Sequence, residues 1–332
     1  MTYTQTYCTV SELMSALQKD GDKKYSDLED RVREACQFIA RDIGQFIPVY
    51  RTRKLKGVCA QTLNLGMGLL AITEVRIDGA VITDYTPEPS DRCWDNGPYT
   101  WLTREDYWGN SVEIDGFWGL YDRKLALNFA ISQLLADAII TVTNGSLLSP
   151  GVVLSIENEQ EYVRAGNGGA KSPAATAAIS LVDGAIAITD NEIGVDNGAE
   201  FHEGEVLQIG TEDLFILKIG GNRMYCMRGF NGTTKAAHND DSPISVYRTF
   251  LVDRAVNGTT AIAHETADVF QYTAPDDVHY LALEISGLMA KKAETSFGGR
   301  AGNAELGETF YINEYPRQQI EIIKAHYSIP YL

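Results

Sequence analysis

Five histidines (His202, His238, His264, His279 and His326) and five cysteines (Cys8, Cys36, Cys59, Cys93 and Cys226) are the side chains of this 332-residue chain best suited to bind a metal or attack a substrate. Their spacing favours neither. Zinc sites show Cys pairs roughly two to four residues apart or His pairs three to five apart, and none of these residues is so placed. Scattered cysteines in odd number imply reduced thiols made in a cytosol. The acidic run from Asp190 to Gly198 has the carboxylates of a calcium loop. Val195, however, stands where the loop needs Gly, and Phe201 where it needs a bidentate Glu, so the run reads as a turn. There is no Gly-x-Ser-x-Gly elbow, no Walker loop and no Cys with an evident His and Asn partner. Nothing among the 45 acidic residues selects the pair a glycosidase would use. The expectation is a chain that is not an enzyme, with no catalytic, cofactor-binding or metal-ligating residues.

The one patterned constellation is a repeat. Arg228-Gly229-Phe230-Asn231-Gly232-Thr233-Thr234-Lys235-Ala236-Ala237-His238 recurs as Arg254-Ala255-Val256-Asn257-Gly258-Thr259-Thr260-Ala261-Ile262-Ala263-His264. Asn-Gly is first a turn signal. Hydroxyls and an imidazole beside it are expected to satisfy backbone groups in a tight loop. Two units are too few for a solenoid, so the reading is two related strand-turn units in one β domain. The matching positions of His238 and His264 are the only hint of a shared site.

Composition narrows the class. A net charge of -17 argues against gripping nucleic acid by its phosphates, which takes clustered Lys and Arg. It suits plain solubility, and equally a wall past which DNA must slide without being held. A hydrophobic content of 44% allows a real core, and the length allows two domains. No apolar run approaches a bilayer span, and the opening residues lack the pattern of a secretory signal.

The elements that would position these residues are read from periodicity. Thr9 with Glu12, and Ser26 with Glu29, are capping boxes opening two helices, the second closing at Gly44. Asp78-Gly79 between β-branched residues predicts a hairpin, and Ser111 to Gly119 a further strand. Leu125, Phe129, Leu134, Leu135, Ala138 and Ile139 predict a helix over 122–142. A flexible linker follows at 164–175, then short strands at 185–189, 205–209, 213–219 and 223–227, with a hairpin turn at Gly220-Gly221-Asn222. Pro275 and Asp276 open a last long helix over 275–293. A Gly-rich loop and a short strand at 309–312 lead to a basic and aromatic tail.

In this order of elements, Tyr7-Cys8-Thr9, Trp118-Gly119, Pro275-Asp276-Asp277-Val278, and Phe297-Gly298 followed by Glu305-Leu306-Gly307 resemble the small head-tail connector (adaptor, neck) proteins of tailed bacteriophages. The resemblance covers about 1–122 and 273–332. It implies an α+β fold: a helical-bundle connector core with a short β-hairpin and strands, plus an inserted small all-β domain, sandwich or barrel-like. The expected organisation is core over 1–144, inserted β domain over 145–272, and core again over 273–332. Two arrangements stay open. Either 145–272 interrupts one helical domain, or helix 275–293 replaces helix 122–142 in the core.

The resemblance implies a structural virion protein. About twelve copies would ring the portal protein, continue the DNA channel and meet the next neck or tail-completion protein, with no membrane contact and no specific DNA binding. It also implies a docking role for the C-terminal segment, through Tyr311, Tyr315, Arg317, Lys324, Tyr327, Tyr331 and Leu332. Tyr and Arg make good interface anchors. The competing expectation for this segment is a terminal helix on its own domain, with Ile320 and Ile323 inward. The competing class for the whole chain is a virion-attached carbohydrate-binding or decoration module, with Tyr225, Phe230 and Tyr247 as exposed aromatics.

Overall fold

A computed structural model of the chain describes residues 4–17, 24–164, 178–294, 300–301, 310–311 and 316–328. Two helices open it, α1 (Val10–Leu17) and α2 (Tyr25–Asp42). The Thr9 capping box is present: the Thr9 N–H donates to Glu12 Oε2 at 2.6 Å, and the Glu12 N–H to Thr9 Oγ1 at 3.2 Å. The Ser26 box is not. α2 begins at Tyr25, and its Tyr25 N–H donates to Asn231 Oδ1 at 3.0 Å. The cap comes from a residue of the repeat, about two hundred positions away.

The first antiparallel sheet holds β1 (Val49–Lys56), β2 (Thr62–Ile77), β3 (Ala80–Ile82), β4 (Thr86–Glu88), β5 (Tyr99–Thr103) and β6 (Ser111–Trp118). Its order is β1-β6-β2-β5-β4, with β3 on β2. Asp78 and Gly79 take φ of 49° and 86° in the β2–β3 turn, as the Asp-Gly signal requires. Leu63, Leu69, Leu102, Trp108, Ile114 and Trp118 form its core. Each such buried side chain contributes about 1.5–3 kcal/mol.

The expected helix over 122–142 is instead two strands, β7 (Arg123–Gln133) and β8 (Ile139–Thr141). Leu125 and Leu134, two members of the supposed helical face, are 51% and 71% exposed. The alternating set Leu127, Phe129, Ile131 and Gln133 faces inward instead. A long partner strand far along the chain supplies the hydrogen bonds that override the helical period. β9 (Val153–Ile156) and β10 (Glu159–Val163) follow in the same sheet.

A third sheet then intervenes: β11 (Ser180–Leu181), β12 (Glu192–Gly194), β13 (Val206–Ile209), β14 (Glu212–Gly220), β15 (Arg223–Phe230) and β16 (Pro243–Val246). β17 (Thr249–Asp253) and β18 (His264–Thr273) return to the second sheet. The segment expected as a strand at 185–189 holds only an isolated bridge, Ile186 to His238.

The second and third sheets are two copies of one module. Their orders are β7-β18-β9-β10-β17-β8 and β11-β16-β13-β14-β15-β12. Across β8, β9, β10 and β17 the registers correspond: Val163 with Val252 matches Ile216 with Cys226, and Ile140 with Phe250 matches Ile193 with Met224. Gly151-x-Val153-Leu154-x-Ile156-x-x-Glu159 recurs as Gly204-x-Val206-Leu207-x-Ile209-x-x-Glu212. The repeat motif seen in the sequence is the tail of this larger duplication. The inner copy lies in the chain between β10 and β17, where the inner copy itself has only the Gly221-Asn222 turn.

Two more helices, α3 (Asp276–Glu294) and α4 (Arg317–His326), close the chain. The pair β19 (Arg300–Ala301) and β20 (Phe310–Tyr311) lies between them. α1, α2, α3 and α4 share one core with residues of both modules. The modules turn equivalent positions to it, Val153 and Tyr162 from the outer copy, Val206 and Phe215 from the inner. The equivalent glycines also receive the N-terminal segment: the Thr6 N–H donates to Gly151 O at 2.9 Å and the Ser11 hydroxyl to Gly204 O at 2.9 Å. Both glycines have positive φ, 98° and 86°.

A helical-bundle core carrying a small β insertion is therefore not what the chain builds. Among the described residues, three six-stranded antiparallel sheets form most of the structure, and the helices are four short elements.

Candidate functional site

The repeat motif builds the same buried box in each module. In the inner copy Glu212, at the start of β14, accepts from Arg228 Nε and Nη2, both at 2.7 Å. It also accepts from the Gly229 and Ala236 N–H groups at 2.9 and 3.0 Å, and lies 2.8 Å from His238 Nε2. Burial pulls the Glu212 carboxyl upward, but the Arg228, backbone and His238 bonds outweigh it and hold the group at about 2. Thr233 Oγ1 accepts from the Asp213 N–H and donates to Phe230 O, and Asn231 Nδ2 donates to Asp213 Oδ2. Thr233 thus satisfies backbone groups of the loop as expected, whereas the His238 imidazole binds the Glu212 carboxylate and not a backbone group.

The outer copy repeats the box. Glu159 accepts from Arg254 Nε at 3.0 Å and Nη2 at 2.6 Å, from the Ala255 N–H at 3.0 Å and from the Ile262 N–H at 2.9 Å. Thr259 and Asn257 bind Gln160 as Thr233 and Asn231 bind Asp213. Gln160 takes the place of Asp213, and three further positions differ in polarity. Glu161 and Gln133 occupy the places of Leu214 and Ile186, and Glu157 that of Gly210. Burial, with Glu159 adding to it against the pull of Arg254, pushes the Glu161 carboxyl up to about 7. His238 and His264 serve separate boxes, so they form no common site.

Where α1, α3, β7 and the inner copy meet, a cleft of about 620 Å³ is lined by Glu12, Arg123, Asp276 and His279 among others. His279 Nε2 lies 3.1 Å from Glu12 Oε1, which ties α3 to α1. That contact raises the His279 imidazole, while burial opposes it.

The residues proposed for docking are placed as follows. Arg317 and Lys324 lie on the exposed face of α4, beside Ile322, which is 60% exposed. Tyr327 is buried. Its ring packs edge-on against Phe46 and Trp94, both at 5.1 Å, and its hydroxyl donates to Asp277 Oδ1 at 3.0 Å. Ile320 and Ile323 face inward. Tyr311 belongs to β20, and Tyr315, Tyr331 and Leu332 lie outside the described residues. Of the aromatics suggested for a binding module, only Tyr225 is exposed, while Phe230 and Tyr247 are buried.

Sequence reasoning missed Glu159, Glu161, Glu212 and Gln133. The signal that finds the first and third is the shared Ile-x-x-Glu at Ile156 and Ile209, fifty-three positions apart. Among the described residues no helix is long and apolar enough to cross a membrane. No protein-family model matches the chain, and no curated protein or solved structure matches it either.

Proposed function

We propose that the chain is a structural protein of the neck of a tailed bacteriophage or prophage, a head-tail connector. On the order of twelve copies close a ring under the portal protein, extend the DNA channel and offer a surface to the next neck or tail protein. The role is mechanical and turns over no substrate. The protein is made in the host cytoplasm and resides in the virion. The acidic balance of -17 suits a wall that DNA passes without being held.

One observation carries this reading. Segments that gave the resemblance come from opposite ends of the chain, yet Tyr7, Cys8 and Val278 share one buried core. Leu120 and Tyr121, directly after Trp118-Gly119, join them there. These described segments therefore meet in one core, which both β modules also line, and that meeting is what supports the reading. A decoration or sugar-binding role rests on Tyr225 alone and is the weaker reading.

The test uses the exposed face of α4. Charging the face in Ile322→Glu/Lys324→Glu should weaken binding to portal rings at least about tenfold, because rim residues of this kind set association with a partner surface. The melting temperature should stay within a degree or two. Unchanged co-sedimentation of the variant with portal rings would remove α4 from the docking surface.

A further inference from the structure

The two modules provide an internal control: one frame built twice, with different side chains at a few points. In the inner box Glu212 faces one guanidinium, Arg228, and the neighbouring buried carboxylate, Asp213, is held by the Asn231 amide and the Tyr247 hydroxyl. The outer box has the same pair, Glu159 and Arg254, and adds Glu157 and Glu161 where the inner copy has Gly210 and Leu214. Glu157 is half-exposed, so with His264 neutral the buried excess over Arg254 is one negative charge, on Glu161, whose Oε1 has no hydrogen-bond partner. Glu159 and Glu161 are fully buried, and uncompensated charge there is costly.

The unsatisfied atoms gather at the same place. Gln133 Oε1, Glu161 Oε1 and His264 Nε2 are buried without a hydrogen-bond partner, whereas Glu212, Arg228 and His238 leave none. Glu161 Oε1 is 2.9 Å from Arg254 Nε but out of line for a hydrogen bond. Gln133 reaches the cluster, its Nε2 lying 3.4 Å from Glu161 Oε2. His264 Nδ1 lies 2.9 Å from Glu157 Oε2, which fixes the donor on that nitrogen and turns Nε2 toward Glu159 Oε2 at 3.2 Å. In the neutral ring two acceptors then face each other. Ligand atoms of Glu159, Glu161 and His264 all lie within 4.8 Å of one another.

We propose that Glu159, Glu161 and His264, with the Gln133 carbonyl oxygen, form a buried site for a divalent first-row metal ion, zinc by its donor set. Two ligands about 2.0–2.1 Å from a tetrahedral zinc sit roughly 3.3 Å apart, close to the His264–Glu159 separation. Imidazole plus carboxylates suits zinc better than calcium or magnesium. Glu157 acts behind the ligand, orienting His264 as carboxylates do in carboxylate–histidine–zinc arrangements. The divalent charge offsets the buried Glu161 carboxylate together with the half-exposed Glu157 behind His264. With every ligand buried, the ion enters as the module folds, and it fastens β7, β10 and β18 of the outer copy together.

Metal content and melting temperature test this directly on the full chain. The wild-type protein, refolded with zinc chloride and dialysed, should retain about one zinc per chain by mass spectrometry. It should also melt several degrees higher than after refolding with a chelator. Glu161→Leu/Gln133→Ile copies the inner module's own residues, so it should fold, lose the retained zinc and melt alike with and without chelator. Glu161→Gln, which keeps the side-chain shape, should also lose most of the zinc and covers the case in which the double variant misfolds. Absence of retained zinc in the wild type, with melting that follows pH alone, would assign the excess charge to protons and overturn the site. Equal zinc in wild type and variants would place the ion elsewhere and overturn it as well.

Discussion

Glu212 is the residue on which the inner module's loop closes, since it binds a guanidinium, two backbone N–H groups and an imidazole at once. Glu212→Gln would leave Arg228 buried beside a neutral amide. The expected loss is about 3–5 kcal/mol, read as a fall in the urea midpoint. Glu29 makes a second residue-scale prediction. Burial, against the pull of Arg33, raises its carboxyl from 4.5 to about 7. The folded chain therefore holds this proton more tightly than the unfolded chain. Its contribution to stability is full below about 4.5 and is lost as pH rises through about 7. Unfolding at pH 5 and pH 7.5 should show a smaller fall for Glu29→Gln than for wild type. An equal fall would assign the slope to other groups. At this scale the sequence was partly legible. The Asn-Gly-Thr-Thr turns and the Thr9 box could be read because their partners are local. Glu212 and Glu159 could not, because each meets its arginine only after strands have paired, and the arginine of Glu159 follows an entire intervening module.

At the scale of elements, α1 and α3 start where the Thr9 box and Pro275-Asp276 stand, α2 starts at Tyr25 without its expected Ser26 box, and residues 123–133 and 139–141 form strands. Leu125 and Phe129 sit four apart and mimic a helical face, but Leu127, Phe129 and Ile131 equally mark a strand. Only pairing with β18 decides between the two periods. The duplication was half legible. Its motif repeats in the sequence, but its unit spans two sheets, one placed inside the chain of the other. Cuts at 145 and 272 would therefore split the outer sheet, since β7 and β8 precede the first cut, β9, β10 and β17 lie between the two, and the second falls inside β18. The natural unit is residues 178–247. It has its own apolar core around Ile193, Leu207, Leu214, Met224 and Ile244, and it contains the whole Glu212 box. Expressed alone, this segment should give a β-type circular dichroism spectrum and one cooperative thermal transition. A chain that stays unfolded would show that the inner copy depends on α1 and α2, against which Val206, Phe215 and Phe230 pack.

For the whole molecule, the first and last segments meet in a shared core, and two related modules present equivalent faces to it. On the proposed connector reading, this core holds both ends and both modules together in one subunit. A closed ring multiplies modest contacts and leaves no free edge, so no single interface needs to be strong. The most direct measurement is negative-stain electron microscopy of the purified protein, alone and mixed with portal rings from the phage or prophage that encodes it. The connector account predicts rings of this protein capping one end of the portal, with the portal's symmetry carried into the added layer. Bare portals beside free monomers at micromolar concentrations of both would contradict it.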